Sequence, residues 1–290
     1  MINSAVILQA LLDGILNAGI FGLAAVGLTL LFGVMRVVNF AHGEMLMVAM
    51  YISYSLFAGF GIHPYLTAFI VVPALALLGV VMYRYLLRPL AAAPETSQLL
   101  VTLGLSLVLQ NGAMMIFGAD FRSVVIPEAS ESFALGPVVV PAARLYSFLV
   151  GMGACIALYL FLRFTDFGVI TRAAVQDRDA AALAGIDVEK ILIVSAAIAV
   201  GLLGLAAAWL VPTIYLSPAI GHTYLLPSFI IVILGGMGSV RGAILGSIVF
   251  GLSQTLGAVL IPGSLGLLIP LFVFVALLLV RPSGLFRGTV

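Results

Sequence analysis

Side chains able to do chemistry are few in this chain, and their spacing excludes most of what they could do. The three histidines, His42, His63 and His222, stand far apart, with no His-x-x-x-His or His-Glu-x-x-His interval to set two imidazoles on one helical face around zinc. Ser239 would need a base held by a third group to become a nucleophile, and no such partner is set beside it. The run GGMGSVRG has the glycines of a phosphate cradle without its lysine. The chain's one lysine, Lys190, follows Glu189, so there is no Gly-Lys-Ser/Thr phosphate loop. These patterns predict a protein that is not an enzyme and holds neither metal nor cofactor. The densest polar group is NFAHGE, Asn39 to Glu44, which joins an amide, an imidazole and a carboxylate to Gly43. Arg36 beside it places the group at a membrane interface, where water is expected to solvate His42 and Glu44, an arrangement unsuited to a proton relay.

The elements that position these groups follow from composition. Of 290 residues, 63% are apolar and 8% charged, and the mean hydropathy is +1.30, whereas a water-soluble domain carries about 25% charged residues. The surface must therefore face lipid. A net charge of +1 leaves no excess of Lys and Arg to replace phosphate counterions, so nucleic acid is not a partner. Cys155 is the one cysteine, so no intrachain disulfide forms, and its place in an apolar run suits a small core residue. The first twelve residues carry no Lys or Arg, and the apolar stretch after Asp13 is too long for a cleavable leader, so the first span is expected to be retained.

Uncharged runs cover 14–35, 45–83, 96–119, 145–162, 191–240 and 242–280. About 20 helical residues cross a hydrocarbon core of about 30 Å. The runs 45–83, 191–240 and 242–280 are each long enough for two crossings, and each holds helix breakers: Gly59, Gly61 and Pro64; Pro212, Pro218 and Gly221; Pro262 and Gly263. The reading is an all-α polytopic bundle, one transmembrane domain over 1–290, with about nine spans near 5–34, 44–60, 64–86, 97–118, 145–164, 190–211, 223–240, 242–260 and 264–281. Eight or ten spans are the alternatives, turning on the long first helix and on whether 35–44 is re-entrant. Alternation puts Arg36, Arg84, Arg88, Arg163, Arg172, Arg178, Lys190, Arg241, Arg281 and Arg287 on one side and only Arg122 and Arg144 on the other. Basic residues stay cytoplasmic, so the N-terminus is expected outside and the C-terminus in the cytoplasm.

Two loops are long enough to carry structure. The external one, 119–144, holds Asp120, Arg122, Glu128 and Glu131 among three prolines and reads as an extended segment with little helix. The cytoplasmic one, 163–190, is the most charged stretch. Its alanine-rich part, Arg172 to Leu183, is expected to be one helix stopped by Gly185, with Val175, Ala182, Leu183 and Ile186 on one face. Polar residues within spans suggest a translocation pathway or interhelical hydrogen bonds; the pathway candidates are Asn39, His42, Glu44, Gln110, Asn111 and Gln254. Gly238, Gly242 and Gly246 recur every four residues, a spacing that lets one helix approach another closely.

The run Gly168, Arg172, Ala173, Asp179, Ala182, Gly185, Ile186 resembles the cytoplasmic loop of ABC importer permeases, in the version found in branched-chain amino acid permeases of the LivH type. NFAHGE and LGGMGSVRGAILG, Leu234 to Gly246, resemble the same family, and the likeness covers essentially the whole chain in order. It implies a multi-pass subunit of a bacterial inner membrane that imports branched-chain amino acids or similar small neutral or zwitterionic solutes. ATP would be bound by two separate ATP-binding cassette subunits that grip the 163–190 loop through Arg172, Asp179, Ala182 and Gly185. The other implied partners are an extracytoplasmic binding protein and a second permease, either LivM-like or another copy. The competing reading is an autonomous channel or secondary transporter for a small solute such as urea or an amide.

Overall fold

The computed structural model describes residues 3–90, 93–261 and 263–286; Pro262 and Arg287, which entered the reading above, lie outside the described residues. Ser4–Met35 has no proline and forms a single 32-residue helix, α1, about 48 Å long at 1.5 Å per residue. Arg36 ends it in the left-handed conformation (φ 58°), its N–H donating to the Phe32 carbonyl at 2.8 Å. The next helices are α2 (His42–Phe60), α3 (Pro64–Leu90) and α4 (Glu95–Phe117). A short outer segment follows, with a single turn α5 (Pro127–Ser130) and strands β1 (Ser132–Leu135) and β2 (Val138–Pro141). The chain continues through α6 (Ala142–Phe164), α7 (Asp166–Gln176), α8 (Arg178–Leu183) and α9 (Val188–Thr213), and ends in α10 (Ile220–Gly235), α11 (Val240–Leu260) and α12 (Leu265–Val280). Pro64 and Pro127 each sit in the first turn of a helix, where a missing N–H costs nothing.

The architecture is the expected polytopic helical bundle. Among the described residues seven helices, α1, α2, α3, α4, α6, α9 and α11, are long and apolar enough to cross a membrane, and α10 and α12 are shorter apolar helices. The axis is α1: 89% of its most apolar stretch is buried, against 17% for α4, which therefore lies at the edge. Around α1 pack α6, α9, α10 and α11, while α3 runs along α9. Aromatic stacks fasten neighbours, Tyr65 on Trp209 between α3 and α9 (4.0 Å) and Tyr51 on Phe117 between α2 and α4 (4.3 Å).

Three details correct the sequence reading. The outer segment is more ordered than an extended loop: β1 and β2 pair antiparallel, with Leu135 opposite Val138 across a turn in which Gly136 has φ 64°. Gln9 of α1 clips this hairpin, its Nε2 donating to the Val139 carbonyl and its Oε1 accepting from Val139 N–H, both at 2.9 Å. The inner loop holds two helices rather than one over Arg172–Leu183, because Asp177 is extended (φ −151°) and caps α8 by accepting from Asp179 and Ala180 N–H. Gly238 is not on a helix with Gly242 and Gly246. It lies in the turn before α11 at φ 83°, while Ser239 Oγ caps the helix by accepting from Gly242 N–H at 3.1 Å.

Gly242 and Gly246 do mediate packing, against the backbone of α10 at Gly235 and Ile231; a Cβ at Gly242 would collide with the Gly235 carbonyl. Without a hydrophobic drive between helices in lipid, such close backbone approach carries much of the association. Gly242→Leu is expected to lower stability by about 1–3 kcal/mol, read as thermal unfolding in detergent. Gly153→Leu, at a position where an added Cβ meets nothing within 4 Å, is expected to leave the midpoint in place.

Candidate functional site

The segment joining α1 to α2 turns into the bundle instead of running along its surface. Asn39 makes the turn, its Oδ1 accepting from Ala41 N–H at 3.0 Å, and Thr102 of α4 donates to the Val38 carbonyl at 3.3 Å. His42, the first residue of α2, then donates from Nε2 to the Ala24 carbonyl of α1 at 2.9 Å, which leaves Nδ1 without a partner. Ala24 lies eleven residues before Met35, so α2 starts about 16 Å inside the arginine-rich end of α1. The expectation that water solvates this group is therefore wrong: Asn39 and His42 are 1% exposed and Glu44 is 0% exposed.

What meets them there is the start of α10. This helix has 16 residues and rises about 24 Å, less than a hydrocarbon core of about 30 Å. Residues 214–219 lead into it without regular helix. Non-helical backbone at membrane depth must be buried and paired, and Leu216 is 0% exposed, with its N–H and C=O both bonded to the backbone of Arg122 (2.7 and 2.9 Å). The first turns of α2 and α10 touch backbone to backbone. A Cβ on Gly43 would collide with the Gly221 carbonyl, and one on Gly221 would collide with the Glu44 carboxylate. Free N–H groups give a helix start a partial positive charge, and Glu44 sets its carboxyl group where two such starts converge. His222 Nε2 of α10 stands 3.6 Å from Glu44 Oε1.

His222 joins this cluster, although the sequence reading did not place it among the pathway groups. Its only signal in the chain is its place just after the breaker Gly221. The remaining pathway candidates do not join this cluster. Gln110 is half-buried on α4, and Asn111 is exposed on the same helix, donating to its own Leu107 carbonyl at 2.7 Å. Gln254 of α11 lines a separate cavity of about 350 Å³ at the hairpin end, together with Asn17, Arg144 and Tyr224. Among the described residues no cluster of His, Cys, Asp and Glu could hold a metal ion.

The inner loop forms a second site. Gly168 rests on the backbone of Leu162, where a Cβ would not fit, and Arg172 donates to the Leu162 carbonyl near the end of α6. Arg178 donates to the Val34 carbonyl at the end of α1 (3.2 Å). Gly185, at φ 84°, ends α8, and Ile186 N–H closes the turn on the Ala181 carbonyl at 3.0 Å. The expected apolar face splits: Val175 and Ile186 pack inward, whereas Ala182 is exposed and Leu183 is 90% exposed. Of the four candidate contact residues, Asp179, Ala182 and Gly185 point outward with Leu183, while Arg172 is half-buried and holds the loop to α6.

A family model described as branched-chain amino acid transport system / permease component matches residues 10–278. The chain is 26% identical to the high-affinity branched-chain amino acid transport system permease protein LivH of Salmonella typhimurium, over 96% of this chain and 94% of the relative. It is 27% identical to the corresponding protein BraD of Pseudomonas aeruginosa, over 96% and 95%, and 28% identical to a probable LivH of Methanocaldococcus jannaschii, over 96% and 92%. No solved structure matches.

Arg172→Ala strips a charged donor from a helix-end carbonyl and is expected to cost about 1.5–3 kcal/mol. Faster amide hydrogen exchange across 166–183 would report it, whereas Leu183→Ala, at an exposed position, should leave the exchange of this loop unchanged.

Proposed function

Since the chain belongs to the branched-chain amino acid transport permease family, we propose that it is the transmembrane permease of an ABC importer carrying branched-chain amino acids or similar small zwitterions into a bacterial cell. The family match over residues 10–278 carries this reading. Transport energy comes from outside the chain, since it has no Gly-Lys-Ser/Thr loop to hold ATP. Two ATP-binding cassette subunits, a second permease and an extracytoplasmic binding protein complete the importer. The arrangement in the inner membrane has nine spans, with the N-terminus outside and the arginine-rich end in the cytoplasm.

The exposed surface of α8 is the handle. Leu183 offers an apolar knob that no side chain of this protein covers, flanked by Asp179, Ala182 and Gly185. The two bonds that tie the loop back, Arg172 to Leu162 and Arg178 to Val34, lead to α6 and α1. ATPase closure on the loop is thereby passed to the helices lining the buried junction, a shift of packed helices that alternates access.

The test is ATP-dependent leucine uptake by proteoliposomes holding the assembled complex. Uptake that needs all subunits is expected, and uptake by this chain alone would favour an autonomous channel. Leu183→Asp removes the apolar anchor and is expected to lower uptake at least about tenfold, as loss of an interface hot spot does, while ATP hydrolysis by the ATPase pair continues. Full transport by this variant would contradict the handle.

A further inference from the structure

Glu44 presents a fully buried carboxylate, and neither of its oxygens accepts a hydrogen bond from the chain. An ionised carboxylate taken out of water costs several kcal/mol unless cations or donors compensate. The two helix starts supply part of that compensation as partial charge. The charge is held only where a cation or donor approaches it, and among the described residues His222 is the one basic side chain within 4.0 Å. Its distance of 3.6 Å is longer than a charge-assisted hydrogen bond of about 2.7–2.9 Å. The His222 side chain is 52% exposed while that of Glu44 is 0% exposed, so the imidazole reaches the surface and the carboxyl lies beneath it. Gly43 and Gly221 place no side chain between the two helix starts. The other charges of the packed helices are Asp13 in the third turn of α1, paired with Arg144 at 3.5 Å, Arg36 at the end of α1, Arg84 and Arg88 on α3, Glu95 on α4, Glu189 and Lys190 on α9 and Arg241 on α11.

We propose that Glu44, covered by His222, is the recognition point for the protonated amino group of the transported solute. This deepens the importer reading and rests on it. A primary ammonium is small and has three donors, enough to serve both carboxylate oxygens, whereas an imidazole offers one N–H to this side. The incoming ammonium therefore replaces His222 at the carboxylate, and a solute without an amine finds no counterpart for the buried charge. The solute class follows: zwitterionic amino acids, and not their deaminated acids or neutral amides.

The test uses the permease–ATPase complex purified without binding protein, with labelled leucine as probe, and the reconstituted full importer for uptake. E44Q keeps the shape of the side chain and is expected to weaken leucine binding on the order of tenfold, measured on complex that purifies fully assembled. H222A removes the competing imidazole and is expected to tighten binding. On the wild-type complex, 4-methylpentanoate, which is leucine without its amino group, is expected not to compete; this arm needs no variant to fold. Leucine binding by E44Q equal to wild type, parallel losses in E44Q and H222A, or effective competition by 4-methylpentanoate would each overturn the proposal and leave the pair as a clasp between helices. A wild-type importer with no ATP-driven leucine uptake would instead overturn the importer reading.

Discussion

The constraint on which this structure turns is the burial of one carboxylate between the first turns of two helices that begin inside the bundle. A helix start exposes N–H groups that nothing within the helix can satisfy, and in a membrane interior water does not reach them. Two starts brought together at Gly43 and Gly221 turn like partial charges toward each other. Glu44 sets its carboxyl group between them, and most of the surrounding irregularity follows. Residues 36–41 must turn inward, α10 must be short, and Leu216 in the non-helical lead into it is buried and pinned to Arg122.

The long axis helix connects this junction to the arginine-rich end. Ala24 of α1 receives the hydrogen bond of His42, and Val34, ten residues further on, receives that of Arg178 from the inner loop. Under the proposed coupling, a pull on the loop reaches the buried junction along α1. Small residues at the crossings allow such sliding, because the neighbours of α1 meet it at backbone distance: Gly27 faces the Ala199 carbonyl of α9, and Gly19 faces Phe148 of α6. A gate moved by separate ATPases needs this combination of a rigid transmitting helix and a junction held by few, separable contacts.

The helices were legible because apolar runs bounded by charges and broken by Gly or Pro have a length that a bilayer fixes. The burial of NFAHGE was not, since Arg36 looked like an interface marker and nothing local says that the chain turns inward after a left-handed Arg36. The pairing of Glu44 with His222 joins residues far apart in the chain, and neither residue alone points to the other. Other misses were local and had signals. Val138, Val139 and Val140 after Gly136-Pro137 are the β-branched run and turn of a hairpin. Asp177 and Ser239 are residues that favour helix caps, and each interrupts what looked like an unbroken helical stretch. Leu183 was assigned to a packed face because helical spacing shows which residues share a side but not whether that side meets its own chain or another.

Accessibility of the inward turn tests the central claim most directly. Ala41 is fully buried two positions before Gly43, and Arg36 is exposed at the end of α1. With Cys155 replaced by serine, Ala41→Cys and Arg36→Cys would be exposed to a membrane-impermeant maleimide from each side of sealed vesicles. The account expects Arg36→Cys to react from one side and Ala41→Cys to stay unlabelled from both until the protein is denatured. Labelling of Ala41→Cys as fast as Arg36→Cys would place the segment in water and contradict a buried junction around Glu44.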